Sequence, residues 1–480
     1  MNKAEHIEAL FVDLDGSLIP TDLLHEAFLD LLMTRPLSAV ATLDALRHGR
    51  LAFKRALGQR YSMNPALLHY RSSVIEIIRR FQEKKIPVIL LSASLDSWVK
   101  RIARHLGIFD AALGSDQENL KGSAKLQVIH KLGYRHFGYI GDHEADHPVW
   151  KECKLAIAVN PTRVTRRFLS TEQKESTLKE FQIIEDRKSL MQLMSATLRL
   201  HQWAKNLLLA LPFIAARQTL NLDTSFRFML AFLSFSLVAS GIYVLNDLSD
   251  RHTDRLHPTK KRRPIAAGEI SIPAALALAF LLPVSGLLLA WSISTGFQVL
   301  LGIYIIANLA YSFLLKRTPM LDVVILSGMY SLRIFAGGEA THTPVSYWLL
   351  VFSTFFFMGL ALLKRYTEVS SLLLSDLKAD FSGRGYLSSD TLLLFGLGLG
   401  CSVASVLVFS LYLNSPQVSN LYSNPAYLWF LIPMLLYWNG RTWLLAVRKM
   451  VHDDPVIFAL RDRVSWLIAF LAMGILAAAT

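Results

Sequence analysis

Apolar residues are spread unevenly along this 480-residue chain. Up to about residue 200 they come in short runs between charged, helix-forming stretches. From about residue 203 onward, long apolar runs recur. Three short runs, ALFV within residues 8–18, IPVILLSAS at 86–94 and FGYIG at 137–141, read as central strands of a parallel sheet, because a strand buried on both faces is continuously apolar. About 70 residues between the first two runs carry apolar positions at helical spacing (LLHEAFLDLLM, AVATLDALRHG, LAFKRALGQR), which predicts a helical cap over about 20–85. In the second part, nine apolar runs are counted, at roughly 204–220, 226–245, 272–293, 296–314, 321–337, 346–363, 391–413, 424–440 and 464–480. Each is read as a transmembrane helix. Residues 161–200 mix charge with partly helical leucine spacing and are read as a linker with an interfacial helix leading to Trp203. The expected architecture is an α/β domain over 1–160, that linker, and an all-α polytopic membrane domain over 201–480.

Charge then orients the membrane part. Arg251, Arg255, Lys260, Lys261, Arg262 and Arg263 follow the second run, Lys316 and Arg317 the fourth, and Lys364, Arg365, Lys378 and Arg384 the sixth. Arg441, Arg448, Lys449, Arg461 and Arg463 follow the eighth, whereas the loops after the third, fifth and seventh runs carry no Lys or Arg. The positive-inside rule makes the even-numbered exits cytoplasmic. The N-terminal domain is then cytoplasmic, the C-terminus outside, and the expected location a bacterial inner membrane. The net charge of +13 is explained by topology and an anionic substrate, and no nucleic-acid partner is expected. Cys153 and Cys401 form no metal or disulfide pattern. The N-terminal MNKAEHIEALFVDLDG has no apolar signal region, so no cleaved signal peptide is expected.

Candidate chemistry sits at strand ends. Asp13 and Asp15 end the first strand on the same side of it, where open α/β sheets bind ligands. One carboxylate there can attack phosphorus while the other moves a proton. Ser92 and Ser94 end the second strand, Lys121 and Lys125 lie at a helix start, and Asp142 and Asp146 follow the third strand. His143 and His147 flank the last pair and are read as solvated loop histidines rather than a two-histidine metal site. Together these stretches resemble the haloacid dehalogenase (HAD) superfamily of phosphatases over about 8–160. The resemblance implies Asp13 as nucleophile, Asp15 as general acid/base, and Ser92 and Lys125 on the phosphoryl group, with Lys121 the rival lysine. It implies Mg²⁺ held by Asp13, Asp142 and Asp146, with Asp15 counted among the metal-site carboxylates.

The second motif is NDLSDRHTDRLHPTKKRRPIAAG, residues 246–268. Asp247, Asp250 and Asp254 fall at i, i+3 and i+7, one face of a helix. A helix end with a positive-inside loop accounts for the cations but not for three mutually repelling carboxylates. Mg²⁺ and a diphosphate account for both. With Asn246 before them and Lys260 and Arg263 after, they resemble the first aspartate-rich motif of the UbiA superfamily of intramembrane prenyltransferases, a fold of nine helices.

Further on, Tyr311 and Lys316 resemble that family's YSxxxK element. Asp322 and Arg333 lie three turns apart near one helical face and could form a structural pair. The family's second DxxxD is missing: Ile325 and Leu326 stand where a partner for Asp322 is expected. Lys205 opens the first run and Lys364 and Arg365 close the sixth. This set resembles the decaprenyl-phosphate phosphoribosyltransferase branch over about 198–480. The implied reaction moves 5-phosphoribose from phosphoribosyl diphosphate to a polyprenyl phosphate, with Asp247, Asp250 and Asp254 holding Mg²⁺ and the diphosphate. Lys205, Lys260, Arg263, Tyr311, Lys316, Asp322, Arg333, Lys364 and Arg365 would serve substrate binding. The fused phosphatase would dephosphorylate the product. The alternative is transfer of a prenyl group from a polyprenyl diphosphate to an aromatic or other small acceptor, with the HAD-like domain as a regulatory module.

Overall fold

The computed structural model describes residues 7–174, 180–217, 221–372, 385–451 and 454–480. Lys378 and Arg384, counted with the cations after the sixth run, lie outside the described residues. Two compact units emerge, Met1–Leu198 with Val244–Leu278, and Arg199–Tyr243 with Ala279–Thr480.

In the first unit the strands are β1 (Ala9–Val12), β2 (Val88–Leu95), β3 (Ala111–Ser115), β4 (Phe137–Gly141), β5 (Leu155–Val159) and β6 (Glu180–Ile184). They form one parallel sheet in the order β3-β2-β1-β4-β5-β6. The chain order reverses between β1 and β4, so the carboxyl end of β1 is a topological switch point, where such sheets take ligands. The helices are α1 (Leu23–Thr34), α2 (Pro36–Leu43), α3 (Arg50–Arg60), α4 (Ser72–Glu83), α5 (Asp96–Leu106), α6 (Ser123–Lys131), α7 (His147–Glu152), α8 (Arg163–Lys174) and α9 (Leu190–Thr197).

Strand alternation sends Leu10, Val12, Leu90 and Ile140 into a core with Val74, Ile78, Trp98 and Ile102. Phe11, Ile89 and Tyr139 go to the other face, against Ile129 and Trp150. Both faces are covered, which is why all four residues of β1 are buried. Val74 and Ile78 of α4 lie in that core together with Leu23, Ala27 and Leu31 of α1, Ala39 of α2 and Leu57 of α3, so the helices of the 20–85 span share their core with one face of the sheet. Asp22 caps α1, its carboxylate accepting from the Leu24 amide at 2.8 Å. The span read as linker is also partly domain. α8 buries Leu169 in the second core, and β6 adds a sixth strand alongside β5. The exposed polar residues Glu180 and Gln182 of β6 hid it from an apolar-run reading.

The second unit is helical. It contains α10 (Leu211–Ala215), the first part of α11 (Leu222–Leu256), most of α12 (Ile272–Ala290), α13 (Thr295–Phe313), α14 (Leu321–Thr341) and α15 (Tyr347–Leu372). α16 (Thr391–Leu413), α17 (Pro416–Leu421), α18 (Leu431–Val447), α19 (Pro455–Arg461) and α20 (Arg463–Ala479) complete it. Among the described residues six helices are long and apolar enough to cross a membrane, α11 to α16, and a seventh if α19 and α20, bent by 80°, count as one span. The nine spans read from the sequence are not all matched by helices of that length among the described residues. The first apolar run is a 3₁₀ stretch, Leu200–Ala210, that passes into the five-residue α10. The eighth is divided between a 3₁₀ turn at Pro425–Phe430 and the 17-residue α18. The ninth run forms the continuous 17-residue α20, which Asp462 caps.

Helices approach closely where side chains are small. A Cβ on Gly337 would lie 2.0 Å from the Leu209 carbonyl oxygen, and one on Gly398 would lie 2.4 Å from the Trp443 ring. Trp443 is fixed by its Nε1–H, which donates to Ser402 Oγ at 3.0 Å. Large apolar side chains on α12 (Phe280, Leu288), α16 (Leu392) and α20 (Phe470) are exposed, as they are on a lipid-facing surface.

Candidate active sites

The carboxyl end of β1 carries the first site. Asp13 ends the strand and is 7% exposed. Its Oδ1 accepts the Leu14 amide at 2.8 Å and its Oδ2 lies 2.9 Å from Lys125 Nζ. Lys125 comes from the first turn of α6, is buried, and also reaches Asp146 Oδ1 at 3.1 Å and the Tyr139 hydroxyl at 2.7 Å. Tyr139 donates to Asp146 Oδ1 at 2.8 Å, and the amides of Asp142 and His143 point to Asp146 Oδ2. These contacts fix the position of Asp146, which in turn sets that of Lys125. Gly16 is required here. Its φ is +78°, and a Cβ would lie 2.1 Å from Asp142 Oδ2.

Asp15 faces another way. Its Oδ1 accepts the Leu23 amide at 2.8 Å, which ties it to the start of α1. Its Oδ2 accepts from Ser94 Oγ at 2.6 Å and Ser92 Oγ at 3.3 Å. Ser92 also accepts the Ser94 amide at 3.0 Å, so both serines of β2 serve Asp15. Asp13, Asp142 and Asp146 bring one oxygen each to within 4.8 Å of one another, the one such group among the described residues. Three hard oxygen donors with a buried ammonium beside them fit a Mg²⁺ ion. Asp15 is not part of that group; its carboxylate oxygens accept from two serine hydroxyls and a backbone amide.

Burial raises the Asp13 carboxyl to about 7, against the opposing pull of Lys125. Burial, with Asp22 nearby, raises Asp15 to about 6, and burial with the charges of Asp13 and Asp146 raises Asp142 well above the usual range. Burial works to lower the Lys125 pKa, but Asp13 and Asp146 outweigh it and hold the ammonium above its ordinary range. A nest of carboxylates that are costly to ionise is suited to a divalent cation and a phosphoryl group. Lys121, the rival lysine, is exposed. His147 stacks on Phe168 at 3.9 Å and meets Thr165 Oγ1, and His143 caps its own turn through the Ala145 amide, so neither joins the acidic group.

The aspartate-rich stretch lies on the last turns of α11 and the loop after it. Asp247 and Asp254 are each 3% exposed and Asp250 is half-buried. The Arg263 guanidinium bridges the first two, at 3.1 Å from Asp247 and 2.6 Å from Asp254. A cation already spans two motif carboxylates, so their spacing accepts positive charge between them. Asn246 is half-buried, and Lys260 is exposed in the 3₁₀ turn Lys260–Arg262. The adjoining side of the same helix was missed in the sequence. Arg251 is 1% exposed and reaches Glu26 at 3.0 Å and Asp30. Arg255 also reaches Glu26, and His252 meets Asp30 at 2.8 Å. Glu26 and Asp30 are one turn apart on α1, as Arg251 and Arg255 are on α11. That matched i, i+4 spacing was the available signal.

The remaining residues belong to the second unit. Arg333 donates to Asn206 Oδ1 and the Tyr304 hydroxyl, each at 2.9 Å, and its guanidinium stacks on Tyr304 and Tyr330. Asp322 is fully buried and engaged by Arg365 and by the Tyr386 hydroxyl at 2.6 Å. The Asp322–Arg333 pair considered from the sequence therefore does not form. Arg365 also meets Tyr311 at 2.9 Å and Glu368. Lys205 and Lys364 share Asp454, at 2.7 and 3.0 Å. Asp454 was not singled out, although Asp-Pro before an apolar run marks a helix start. It caps α19 through the Val456 amide. Lys316 is half-buried in the 3₁₀ turn Leu315–Arg317.

Comparison with known proteins is consistent with both parts. The profile of haloacid dehalogenase-like hydrolases matches residues 10–151. A protein of Sinorhizobium fredii named uncharacterized protein y4nM is 35% identical over 464 residues, 96% of this chain and 89% of that protein. The decaprenyl-phosphate phosphoribosyltransferase of Mycolicibacterium smegmatis is 32% identical over 301 residues, 61% of this chain and 93% of that enzyme. A UbiA homologue from Archaeoglobus fulgidus solved with GPP and Mg²⁺ is 17% identical and aligns over 59% of this chain and 99% of its own, with a TM-score of 0.44. The UbiA prenyltransferase profile matches residues 207–473, more than half of the chain, so this protein belongs to the UbiA prenyltransferase family and joins to it a HAD-type hydrolase domain.

Proposed function

We propose that the chain transfers 5-phosphoribose from phosphoribosyl diphosphate to a polyprenyl phosphate, and that its HAD domain then removes the 5-phosphate from the lipid-linked product. The N-terminal domain would work on the cytoplasmic side, where the positive loops lie, with the C-terminus outside. The observation that carries the transferase reading is the state of Asp322. Its carboxylate is spent on Arg365 and Tyr386, and α14 offers no second carboxylate one turn on. The diphosphate of the donor is then left to Asp247, Asp250 and Asp254, and the other phosphates to Lys260, Lys205, Lys364 and Arg333. The similarity to a decaprenyl-phosphate phosphoribosyltransferase over 61% of the chain supports the same donor.

In the transfer, an anionic acceptor-phosphate oxygen forms a bond to ribose C1 as the C1–diphosphate bond breaks. A phosphate monoester is already a nucleophile at neutral pH, so these residues align reactants and neutralise charge. In the hydrolysis, Asp13 attacks phosphorus, Asp15 gives its proton to the leaving ribose oxygen, and Lys125 balances charge on the phosphoryl oxygens. The phosphoaspartate is then hydrolysed by water that gives its proton back to Asp15. A Mg²⁺ ion held by Asp13, Asp142 and Asp146 would add Lewis-acid stabilisation of the phosphoryl oxygens.

The test is incubation of the full chain in detergent with Mg²⁺, ribose-labelled phosphoribosyl diphosphate and a polyprenyl phosphate. Label should enter the lipid phase, and the lipid should keep its 5-phosphate only in the Asp13→Asn variant. Label that never enters lipid, together with turnover of a polyprenyl diphosphate, would replace this reading by prenyl transfer. Labelled lipid that keeps its 5-phosphate in the unaltered chain would remove the hydrolytic step.

A further inference from the structure

One cation near the phosphatase site has no role in the chemistry above. Lys54 lies on α3, in the helical insertion. Its Nζ donates to the Ala93 carbonyl at 2.6 Å and to Asn119 Oδ1 at 3.1 Å. Ala93 is the residue between Ser92 and Ser94, the two hydroxyls that hold Asp15. Lys54 is thus anchored one residue from each of the two side chains that hold Asp15.

The anchorage is built. A Cβ on Gly58 would lie 2.5 Å from Leu95 Cδ1, so α3 rests directly on the end of β2. Phe53 packs against Phe28 of α1, and the Ala93 carbonyl is shared with Ser115 Oγ at 2.8 Å. Lys54 is half-buried and has no carboxylate within ion-pair distance among the described residues. Asp15 and Asp22 act on it only from further away. Neutral acceptors take two of its three N–H donors and leave one, with no carboxylate in direct contact with the charge. A cation held in place by neutral groups beside a phosphoryl site is a binding element for an anion.

We propose that Lys54 is a specificity-determining residue of the phosphatase site and that it receives a second anionic group, carried by the leaving-group half of a phosphomonoester. The inference rests on the hydrolytic reading of Asp13 given above. In the lipid-linked product, the second anion is the phosphodiester at ribose C1.

The probes are two soluble esters, ribose 5-phosphate and its 1-(methyl phosphate) diester, which has the second anion but no lipid. Hydrolysis of each is measured with the full chain in detergent and Mg²⁺, and with Lys54→Met and Lys54→Arg. The unaltered chain should favour the diester in kcat/KM. Lys54→Met should lower that ratio by about tenfold or more, through KM, as expected for loss of a charge-assisted contact, and Lys54→Arg should retain most of it. An unchanged ratio in Lys54→Met, an equal fall with both probes, or no hydrolysis of either by the unaltered chain overturns the proposal. If the ratio collapses but the lipid-linked 5-phosphate is untouched, Lys54 reads a soluble substrate and the lipid step of the proposed function falls alone. If Lys54→Met consumes the lipid-linked product as fast as the unaltered chain, the Lys54 inference falls alone.

Discussion

Lys125 Nζ lies 2.9 Å from Asp13 Oδ2, and both groups are buried. The same ammonium serves Asp146 at 3.1 Å, so one positive charge holds two carboxylates in place with Asp142 beside them. Removing it leaves buried negative charge without compensation. Lys125→Met is expected to destabilise the first unit by roughly 3–5 kcal/mol, the usual cost of breaking a buried pair from one side. Lys125→Met combined with Asp146→Asn should recover part of that loss. Thermal unfolding with a limited-proteolysis readout on the first unit checks both. Equal stability of the single and double variants would contradict the coupling.

The same carboxylates give a pH dependence with a definite sign. Asp13 titrates near 7 and Asp15 near 6 in the folded chain without metal, both above their ordinary values because of burial. The folded state therefore binds more protons than the unfolded state between about pH 4 and 7. Their contribution to stability is present at low pH and is lost as pH rises through 6 to 7, at about 1.4 kcal/mol for each tenfold difference in proton affinity between the folded and unfolded chain. Chelated protein should unfold at lower temperature at pH 8 than at pH 5.5. Added Mg²⁺ should raise the unfolding temperature more at pH 8, where the ligands are ionised. A Mg²⁺ effect that is larger at pH 5.5 would contradict this account.

Arg251 makes a third case. It is 1% exposed, and Glu26 and Asp30 face it from α1. Burial tends to raise the Glu26 carboxyl, but Arg255 and Arg251 outweigh it and hold it below its usual range. Arg251→Ala should cost up to roughly 3–5 kcal/mol, because it takes a buried cation from Glu26 and Asp30 and leaves them only Arg255 and His252, and Arg251→Met with Glu26→Gln should cost much less. A double-mutant cycle read by thermal unfolding gives the coupling energy, and additive costs would show that the two side chains do not act together.

Local chemistry was legible in the sequence where it sits at a strand end or on one helix face. Asp13, Asp15, Ser92, Lys125, Asp142 and Asp146 come from four segments, yet each is marked by an apolar strand or a helix start beside it. The partners of buried charges were not legible. Asp322 meets Arg365 and Tyr386, 43 and 64 residues away, and nothing local favours them over Arg333 on the same helix. Asp454, the common partner of Lys205 and Lys364, lies 249 and 90 residues from them. Not every apolar run is a long α-helix, for a physical reason. Hydropathy reports what an apolar run excludes from water, not whether its backbone stays α-helical, and the run at Lys205 and Asn206 is a 3₁₀ stretch.

That 3₁₀ stretch supplies the last prediction. Gly337 lies on α14, one turn after Arg333, and a Cβ there would meet the Leu209 carbonyl oxygen at 2.0 Å and its carbon at 2.7 Å. Backbone cannot yield as a flexible side chain does, so Gly337→Ala forces the Leu200–Ala210 segment away from α14. The expected cost is about 1–3 kcal/mol, the usual range for overpacking. The displaced segment carries Asn206, whose Oδ1 accepts from Arg333 Nε at 2.9 Å, and Lys205, which is held by Asp454. Transferase activity should therefore fall in Gly337→Ala by more than the loss of folded protein explains, while hydrolysis of a soluble phosphomonoester by the first unit is retained. Gly302, which has open space at its Cβ position, is the control: Gly302→Ala should leave both activities unchanged. Equal behaviour of the two alanine variants would show that the close approach at Leu209 does not govern how Asn206 and Lys205 are held.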